Sequence, residues 1–312
     1  MSMVQPPELD AAIRQLIRLA VSEDLGGLPG DPGAGDRTVA ATIPTSLQCR
    51  GDILARQDGV ICGLFLVPAI LRHYDPALTL TTDNHDGQDI VRSRRVAAIT
   101  GAAGAILSAE RVVLNFLSRL SGIATLTRRY VQSVENAIPA GRPRPVICDT
   151  RKTTPGWRAL EKYAVRCGGG RNHRMGLYDG VMLKDNHLAA LRARMESGRT
   201  LASLTAHVRS TLPKDIPLWL EVDSLEELAE ALPGGGADII LLDNMTPAQI
   251  RRAVAIRGAQ EPASRPPLEA SGGITLANVA DVAQTGVDRI SIGALTHSAL
   301  CLDLALEVSP HD

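Results

Sequence analysis

The sequence predicts an α/β protein in which a complete or partial (β/α) barrel follows an N-terminal α+β domain. Six short apolar runs recur from residue 146 onward, and helical stretches separate the later ones. Strands that alternate with helices of this length form βαβ units and therefore a parallel sheet. Aromatic residues are only 3% of the chain, so branched aliphatic residues must fill the core, as they do in parallel sheets. No GxGxxG motif follows a strand, which disfavours a dinucleotide-binding sheet.

Each apolar run ends on polar or glycine residues, and each is predicted to form one strand. Active sites of (β/α) barrels lie at the carboxyl ends of the strands, so functional residues are expected there. Amphipathic helices are predicted at residues 224–232, 246–256 and 275–285, with Thr246 as N-cap and Pro247 in the first turn. The six predicted strands are residues 146–150, 180–184, 217–222, 238–243, 267–271 and 289–293.

The N-terminal part combines one clear helix with short strand-like runs. Apolar residues recur at helical spacing over residues 9–26, and Gly26 is placed to end that helix. Residues 27–38 are rich in Gly and Pro, which predicts a loop. A long helix is predicted to begin after an N-cap at Ser108 and to be divided at Gly122. Strands are predicted at residues 49–55, 59–63, 79–82 and 103–108, and a linker at residues 135–145.

Bulk charge and composition exclude several classes of protein. The chain carries 33 Lys and Arg against 34 Asp and Glu, so no nucleic-acid partner is expected. It offers no signal-like leader and no charge-free run long enough to cross a bilayer, so no membrane association is expected. The five cysteines are scattered, without CxxC or metal-ligand spacing, which predicts reduced thiols and a cytoplasmic location.

One stretch, residues 149–187, departs from the overall neutrality. It holds eight Lys and Arg against four acids, with two histidines and three consecutive glycines among them. This local excess of cationic groups predicts a pocket for small polyanions. Glu221 and Asp243, on later strand ends, are expected to face the same cavity and to hold ribose hydroxyls or a hydrated Mg²⁺. We assign Arg151, Lys152, Arg174 and Lys184 to the site, and Arg158 and Lys162 to a solvated helix face.

The last two strand ends have the composition of a phosphate site. Glycines let a phosphate approach backbone N–H groups, and the N-terminus of the following helix adds a favourable dipole. The loops after the last two strands are the usual phosphate position in (β/α) barrels. The residues concerned are Ser271, Gly272 and Gly273 after one strand, and the IGALTH segment, with Gly293, after the next.

Long motifs across nearly the whole chain resemble quinolinate phosphoribosyltransferases. The central motif, residues 149–187, reads DTRKTTPGWRALEKYAVRCGGGRNHRMGLYDGVMLKDNH. Two departures from the family pattern are a Gly/Pro-rich insertion within residues 26–35, a lid or a disordered segment, and Trp157, where an aliphatic residue is commoner. Further segments that carry the resemblance are SEDLG, GDRT, ERVVLNFLSRLSGIAT, EVDS, LLDNM, EASGGI and ISIGALTHS.

The resemblance implies both a fold and a reaction. The fold is an N-terminal α/β domain over residues 1–118, joined by a C-terminal tail at 295–312, with an incomplete TIM-like (β/α) barrel over residues 119–294. The reaction joins quinolinate to 5-phosphoribosyl-1-pyrophosphate in de novo NAD synthesis and gives nicotinate mononucleotide, pyrophosphate and CO₂. The resemblance also implies a homodimer, or a higher oligomer, in which Arg111 reaches the neighbouring subunit's site.

The resemblance further implies a role for each candidate site residue. Lys152, Lys184, Glu221 and Asp243 are the implied catalytic residues, and Mg²⁺ is the implied cofactor, held by Glu221 and Asp243 through water. The residues implied to contact quinolinate are Arg111, Arg151, His173, Arg174 and Lys184. The others implied to bind substrate are Thr150, Lys152, Glu221, Asp243, Ser271, Gly272, Gly273, Ile292, Gly293 and Ala294.

Three alternatives remain open at this point. Lys184 at a strand end beside a phosphate cradle would also suit a Schiff-base aldolase. A paralogue encoded with molybdate transport genes resembles the same family, but the DNM sequence and the full KTTPG to GGGRNHR run argue against it. A non-catalytic anion-binding module would explain the cationic stretch, yet gives no reason for Glu221 and Asp243 at strand ends.

Overall fold

The computed structural model describes residues 4–194, 200–260 and 265–310 of the chain. They fall into two compact units: the first unit is residues 1–128, 153–169 and 295–312, and the second unit is residues 129–152 and 170–294. The predicted domain boundary at residue 118 kept residues 153–169 with the barrel, whereas the two compact units place them with the N-terminal residues. The predicted domains and the compact units are therefore different divisions of the chain, and the domain boundary stays a prediction. Among the described residues, none of the helices has both the length and the apolar character needed to span a bilayer.

The first unit contains most of the helices and strands that precede residue 129. Its helices are α1 (Ala11–Leu25), α2 (Arg37–Thr42), α3 (Val67–Tyr74), most of α4 (Ala103–Ala137) and α5 (Arg158–Cys167), with a 3₁₀ turn at Leu64–Leu66. Its strands are β1 (Gln48–Ala55), β2 (Gly59–Val60), β3 (Thr79–Thr81), β4 (Asp89–Ile90), β5 (Arg95–Ala102) and β12 (Leu304–Pro310).

A four-stranded antiparallel sheet organises the first unit. Its strand order is β12-β1-β5-β3, so the last strand of the chain pairs with the first. Ile53 on β1 lies opposite Ala97 on β5 and Leu306 on β12, and its side chain is fully buried. Every second residue of β1 is buried, as expected for a sheet that packs one face on the core.

The helix predicted at residues 9–26 is confirmed, together with its termination. Asp10 caps α1 by accepting a hydrogen bond from the Ile13 N–H, and Gly26 ends the helix in the left-handed conformation with φ 72°. The insertion that follows consists of turns, in which Asp31 Oδ2 accepts from the Leu28 N–H at 2.7 Å and Gly35 N–H donates to the Leu25 carbonyl.

The predicted strand at residues 103–108 and the predicted N-cap at Ser108 are wrong. The strand is β5, which ends at Ala102, and α4 begins at the next residue. The first five residues of α4, residues 103–107, read AGAIL, and their two alanines favour a helix. Ser108 lies inside α4, where its hydroxyl donates to Asp36 Oδ2 at 3.0 Å. That carboxylate is the N-cap of α2, so Ser108 ties two helices together.

The predicted division of the long helix at Gly122 is also wrong, since α4 is continuous over 35 residues. Glycine is required at position 122 because residues 300 and 301 pack directly against it. A Cβ built on Gly122 would lie 2.0 Å from the Leu300 carbonyl oxygen and 3.0 Å from Cys301 Cα. The glycine therefore costs some helix propensity but lets the backbone before β12 pass directly over α4.

The second unit contains a six-stranded parallel sheet. Its strands are β6 (Val146–Cys148), β7 (Val181–Leu183), β8 (Leu218–Val222), β9 (Ile239–Asp243), β10 (Leu268–Ser271) and β11 (Arg289–Ser291). Its helices are α6 (Asp185–Arg194), α7 (Leu201–Thr211), α8 (Leu225–Ala231), α9 (Pro247–Gly258) and α10 (Val279–Ala283), with a 3₁₀ turn at Leu232–Gly234. Helix α11 (Ala294–His297) begins at the last residue of the unit.

The strand order β6-β11-β10-β9-β8-β7 confirms the predicted fold class. All six strands lie where the apolar runs predicted them, and each neighbouring pair is parallel. Consecutive strands β6 and β7 are the two edges of the described sheet, so the barrel is incomplete between them. The predicted cap at Thr246 is confirmed, since Thr246 forms a capping box with Gln249 at the start of α9, and the structure adds a cap at Ser224 for α8.

We predict that Gly122→Ala lowers the free energy of unfolding by about 3 kcal/mol, because the new methyl group overlaps a backbone carbonyl that has little freedom to move. Gly258→Ala is the matched control, since Gly258 also lies in a helix but has open space around its Cβ position. This control should leave stability unchanged or raise it by about 0.5–1 kcal/mol. Urea denaturation of both variants measures the difference, and an unchanged midpoint for Gly122→Ala would refute the packing argument.

Candidate active site

The carboxyl edge of the parallel sheet brings the predicted polar residues of the second unit together. Lys184 follows β7, Glu221 lies on β8, and Lys184 Nζ is 2.6 Å from Glu221 Oε2. Asp243 ends β9 and pairs in register with Ser271 at the end of β10. Ser271 in turn lies opposite Ser291 of β11. Five neighbouring strands, β7 to β11, therefore present cationic, anionic and hydroxyl groups at one edge.

Asp149 holds the segment that contains Asn172 and His173 against β6. It follows β6 directly, it is completely buried, and its Oδ1 accepts from the His173 N–H at 2.8 Å. Its Oδ2 accepts from Asn172 Nδ2 at 2.6 Å. Arg171 adds a parallel backbone bridge to Cys148, through its N–H to the Ile147 carbonyl. The site residues His173 and Arg174 are thus fixed to the sheet although they lie in no regular element.

Arg151 and Arg174 form a cationic pair that is only partly solvated. Arg151 Nε is buried and, within the described part of the chain, has no hydrogen-bond partner. Partial burial, and then the charge of Arg151, lower the pKa of Arg174. One Arg174 nitrogen donates to the Gly180 carbonyl at 2.8 Å. Two guanidinium groups that repel each other while one retains an unused buried donor are the arrangement expected of an anion site.

The side chain of His173, which is predicted to contact substrate, is buried in this structure. It is 7% exposed, its ring stacks on Trp219 at 4.4 Å between centroids, and its Nδ1 accepts from the Arg174 N–H at 2.7 Å. Its Nε2 lies 3.6 Å from Glu269 Oε1. His173 therefore lines the interior of the site, and its predicted contact with substrate stays a prediction.

The ends of β9 and β10 interlock through one asparagine. Asn244 has φ 54°, and its backbone N–H donates to the Ser271 carbonyl. Its side-chain amide donates to Asp243 Oδ2 at 2.7 Å, which orients that carboxylate. A Cβ on Gly272 would lie 2.1 Å from Asn244 Oδ1, so only glycine fits at this position. The glycine after Ser271 is thus required for packing as well as for any phosphate approach.

The remaining predicted site residues of the second unit lie at the same strand ends. Thr150 Oγ1 accepts from the Lys152 N–H at 3.0 Å in the turn after β6. Gly273, exposed with φ 61°, receives a hydrogen bond at its carbonyl from Asn278. Ile292 donates its N–H to the Cys148 carbonyl, which joins the ends of β11 and β6. Gly293 and Ala294 follow Ile292 and lead into α11.

Arg111, which belongs to the first unit, lies well inside α4. It lies in the third turn of α4, its side chain is 65% exposed, and it lines a cavity of about 660 Å³ with Asn115, Trp157 and Asp303. Trp157, the departure from the family pattern, stacks on Phe116 at 4.7 Å in the same region.

The predicted solvated face of α5 is wrong. Lys162 is 1% exposed, and Arg158 is half-buried with its Nε donating to Thr153 Oγ1. The neighbouring Glu161 is fully buried and accepts from Arg119 at 2.7 Å and from Thr154. Charged residues in this helix are therefore buried or half-buried, and Glu161 holds the turn at Thr154.

Three residues whose side chains organise this edge of the sheet were not among the predicted site residues, namely Asp149, Asn244 and Glu269. Asp149 and Asn244 each come directly after a strand, so their positions at strand ends were a usable signal. Glu269 lies inside an apolar strand, and its half-buried partner Arg289 is on the next strand, 20 residues later. Only the strand register reveals that pair.

Cys148 does not supply a nucleophile to this edge of the sheet. It is completely buried, and burial, with the nearby charge of Glu269, raises its pKa to about 12. A thiol with this pKa is protonated at neutral pH and is therefore a poor nucleophile. Lys184, in turn, is ion-paired to Glu221, whereas Schiff-base lysines are activated in hydrophobic pockets or beside another cation.

Comparison with known proteins decides the family. Residues 36–121 match the description "Quinolinate phosphoribosyl transferase, N-terminal domain", and residues 123–307 match "Quinolinate phosphoribosyl transferase, C-terminal domain". The chain belongs to the quinolinate phosphoribosyltransferase family. The change from one domain description to the other falls between residues 121 and 123, close to the predicted division at residue 118.

Curated relatives and solved structures of this family resemble the chain over most of its length. It is 39% identical over 279 residues to the probable nicotinate-nucleotide pyrophosphorylase [carboxylating] of Bacillus subtilis, covering 89% of this chain and 90% of the relative. It is 41% identical over 283 residues to the protein of that description from Synechocystis, covering 90% of each. The crystal structure of NadC from Streptococcus pyogenes superposes with a TM-score of 0.83 at 34% identity, covering 96% of this chain and 97% of the other.

We predict that Asp149→Ala lowers the free energy of unfolding by about 3 kcal/mol, because it leaves buried donors of His173 and Asn172 without their acceptor. Asp215→Ala is the control, since Asp215 is exposed in a loop of the same unit and should cost less than about 0.5 kcal/mol. Thermal and urea unfolding measure both variants. Equal stabilities would show that Asp149 does not hold the segment to the sheet.

Proposed function

We propose that this chain transfers the phosphoribosyl group of 5-phosphoribosyl-1-pyrophosphate to quinolinate with decarboxylation, giving nicotinate mononucleotide, pyrophosphate and CO₂ in de novo NAD synthesis. It is thus a glycosyltransferase of the nicotinate-nucleotide diphosphorylase (carboxylating) type. Family membership supports this function. The main structural support is the partly solvated pair of Arg151 and Arg174. Arg151 Nε in this pair is a buried donor that an anion could satisfy.

Quinolinate is a dicarboxylate at neutral pH, and we assign its two carboxylates to the cationic pair. Guanidinium groups can form bidentate hydrogen bonds with carboxylates, which fixes the plane of the pyridine ring. Arg151 and Arg174 are close enough for the charge of one to lower the pKa of the other, so a dianion between them relieves that repulsion. A fixed ring plane aims the pyridine nitrogen at C1 of the ribose.

The phosphoribosyl donor is assigned to the later strand ends. Gly272 and Gly273 are exposed beside Ser271, and Gly293 follows β11, so backbone N–H groups can meet the 5-phosphate there. Loss of pyrophosphate gives C1 oxocarbenium character, which the negative charges of Glu221 and Asp243 favour. Lys152, exposed after β6, and Lys184 counter the charge that develops on the leaving pyrophosphate.

Decarboxylation follows from the substrate without a nucleophile from the protein. Once the ring nitrogen carries the ribosyl group, it is a cationic pyridinium. The bond between C2 and its carboxylate breaks and CO₂ leaves. The electron pair stays on C2 beside the positive nitrogen and then forms a C–H bond with a proton from water. The buried, protonated Cys148 and the ion-paired Lys184 are consistent with a reaction that needs no covalent intermediate.

We assign Mg²⁺ to Glu221 and Asp243, held through water. Within the described residues no three His, Cys, Asp or Glu side chains form a cluster that could hold a metal alone. Two carboxylates on neighbouring strands do fit Mg²⁺, which keeps several waters and commonly shares its coordination with substrate phosphates. Bound Mg²⁺ would neutralise pyrophosphate charge, while Lys184 and Asn244 orient the two carboxylates.

The proposal includes a cytoplasmic homodimer, or a higher oligomer, in which Arg111 completes the site of the neighbouring subunit. Support comes from the exposed position of Arg111 on α4, at the edge of a cavity in the first unit. All five cysteines are free thiols, as expected in a reducing compartment. Small-molecule substrates are the proposed ligands, with neither nucleic acid nor membrane as a partner.

The test is formation of nicotinate mononucleotide from quinolinate, 5-phosphoribosyl-1-pyrophosphate and Mg²⁺, with nicotinate offered as a competing substrate. Wild-type protein should use quinolinate and leave nicotinate unreacted. Arg151→Ala and Lys184→Ala should each lower kcat/KM by about 10²–10³-fold, because each removes a charge aimed at the reacting groups. Lys214→Ala and Arg251→Ala, which remove exposed cations elsewhere in the second unit, should stay within about twofold.

Two results would contradict this proposal. Normal quinolinate-dependent release of pyrophosphate by Arg151→Ala or Lys184→Ala would remove those residues from the site. Failure of folded wild-type protein to form the mononucleotide would remove the activity itself. A Schiff-base reaction would instead leave an adduct on Lys184 after borohydride reduction with a phosphorylated carbonyl compound, and none is expected.

A further inference from the structure

We propose that Glu269, held by Arg289 inside the barrel, is a positioning residue for quinolinate, because it fixes the tautomer and orientation of His173 and thereby the backbone of Arg174. This inference rests on the proposed function, since Arg174 is the residue that it positions for substrate. Glu269 is not among the predicted site residues, and it lies one layer deeper in the sheet than Ser271.

Glu269 and Arg289 form a charge pair in the interior of the second unit. The two residues lie opposite each other in the parallel register of β10 and β11, and Arg289 Nε donates to Glu269 Oε2 at 2.7 Å. The Glu269 side chain is completely buried, and that of Arg289 is 20% exposed. Burying such a pair carries a desolvation cost that a hydrophobic pair would not, so stability alone is a weak reason for its presence.

The second oxygen of Glu269 faces the imidazole of His173. Oε1 is buried, and it lies 3.6 Å from His173 Nε2. The opposite nitrogen of the ring, Nδ1, accepts from the Arg174 N–H at 2.7 Å. A nitrogen that accepts carries no proton, so this bond requires the neutral tautomer with its proton on Nε2. A proton on Nε2 lies within ion-pair distance of the Glu269 carboxylate, so both contacts favour the same tautomer.

Other elements around the imidazole reinforce this arrangement. Trp219 on β8 stacks on one face of the ring and excludes water from it. Asp149, after β6, accepts from the backbone N–H of His173. Cys148 on β6 adds no charge near Glu269, because burial raises its pKa to about 12. Charged groups near the ring in the described part of the chain include Asp149, Glu269 and Arg289, together with Arg174 itself.

The consequence for substrate passes through the backbone of Arg174. The His173 ring receives the Arg174 N–H, and the Arg174 guanidinium donates to the Gly180 carbonyl. Rotation of the ring or a change of its tautomer would release the first of these bonds and loosen the arginine assigned to quinolinate. We expect a loss in the binding of quinolinate rather than in the binding of the phosphoribosyl donor, which is assigned to other strand ends.

The first measurement uses wild-type protein labelled with [¹⁵N]histidine. The chain has seven histidines, and comparison with His173→Gln identifies the His173 signals. At pH 7 the imidazole should show the neutral tautomer protonated at Nε2, with and without quinolinate. An imidazolium, or a ring protonated at Nδ1, would overturn the proposal. This result does not depend on activity, so it separates failure of the inference from failure of the proposed function.

The second measurement uses Glu269→Gln, which keeps the shape but can turn an N–H donor toward Nε2. His173 should then populate the Nδ1-protonated tautomer, and KM for quinolinate should rise about tenfold, with kcat and KM for the phosphoribosyl donor within about threefold. Asp238→Asn is the matched control: Asp238 also pairs with an arginine and accepts from a strand N–H, but at the start of the strands. It should change neither the His173 signals nor KM for quinolinate.

If Glu269→Gln does not fold, Glu269→Asp serves instead, because it keeps the charge and moves it away from the imidazole. A tenfold rise in KM for quinolinate with a shifted His173 tautomer supports the proposal. An unchanged tautomer, or equal losses for both substrates, shows that Glu269 has only a structural role.

Discussion

The buried carboxylate of Asp149 is the contact on which the candidate site depends most. It follows β6 and accepts hydrogen bonds from the segment that carries His173 and Arg174. That segment belongs to no helix or strand, so Asp149, together with the backbone bridge at Arg171 and the stacking of His173 on Trp219, sets its position relative to the sheet. The cationic part of the site is therefore as rigid as the strand that carries the acid, which is what the orientation of a small planar substrate requires.

The fold is largely predictable from the sequence because parallel strands that are buried on both faces leave a continuous apolar signal. All six barrel strands and the cap at Thr246 follow from such local patterns. The prediction of strands and helices failed where small residues are compatible with both kinds of element. Residues 95–108 are rich in alanine, which is compatible with a strand or a helix, and only pairing with β1 fixes β5 and leaves α4 to begin at Ala103.

The candidate site is predictable in part, for a different reason. Strand ends can be read along the chain, so Glu221, Asp243 and the glycines at 272 and 273 were found in order. Pairs that form across strands cannot be read this way. Glu269 and Arg289 meet because of register, and Lys162 and Glu161 are buried because other segments of the first unit cover α5. A charged residue in a helix lies in solvent only when no other segment of the protein covers it. The sequence does not show which segments will pack on a given helix.

The central claim is that Arg151 and Arg174 together bind a dicarboxylate. Isothermal titration of quinolinate and of nicotinate, which has one carboxylate, into wild-type protein and Arg151→Ala tests it most directly. We expect quinolinate to bind wild-type protein about ten- to a hundredfold more tightly than nicotinate, because a second charge-assisted pair contributes about 1.5–3 kcal/mol. We expect Arg151→Ala to bind the two ligands with similar affinity. Equal affinities in wild-type protein, or a preference for quinolinate that survives Arg151→Ala, would contradict the account.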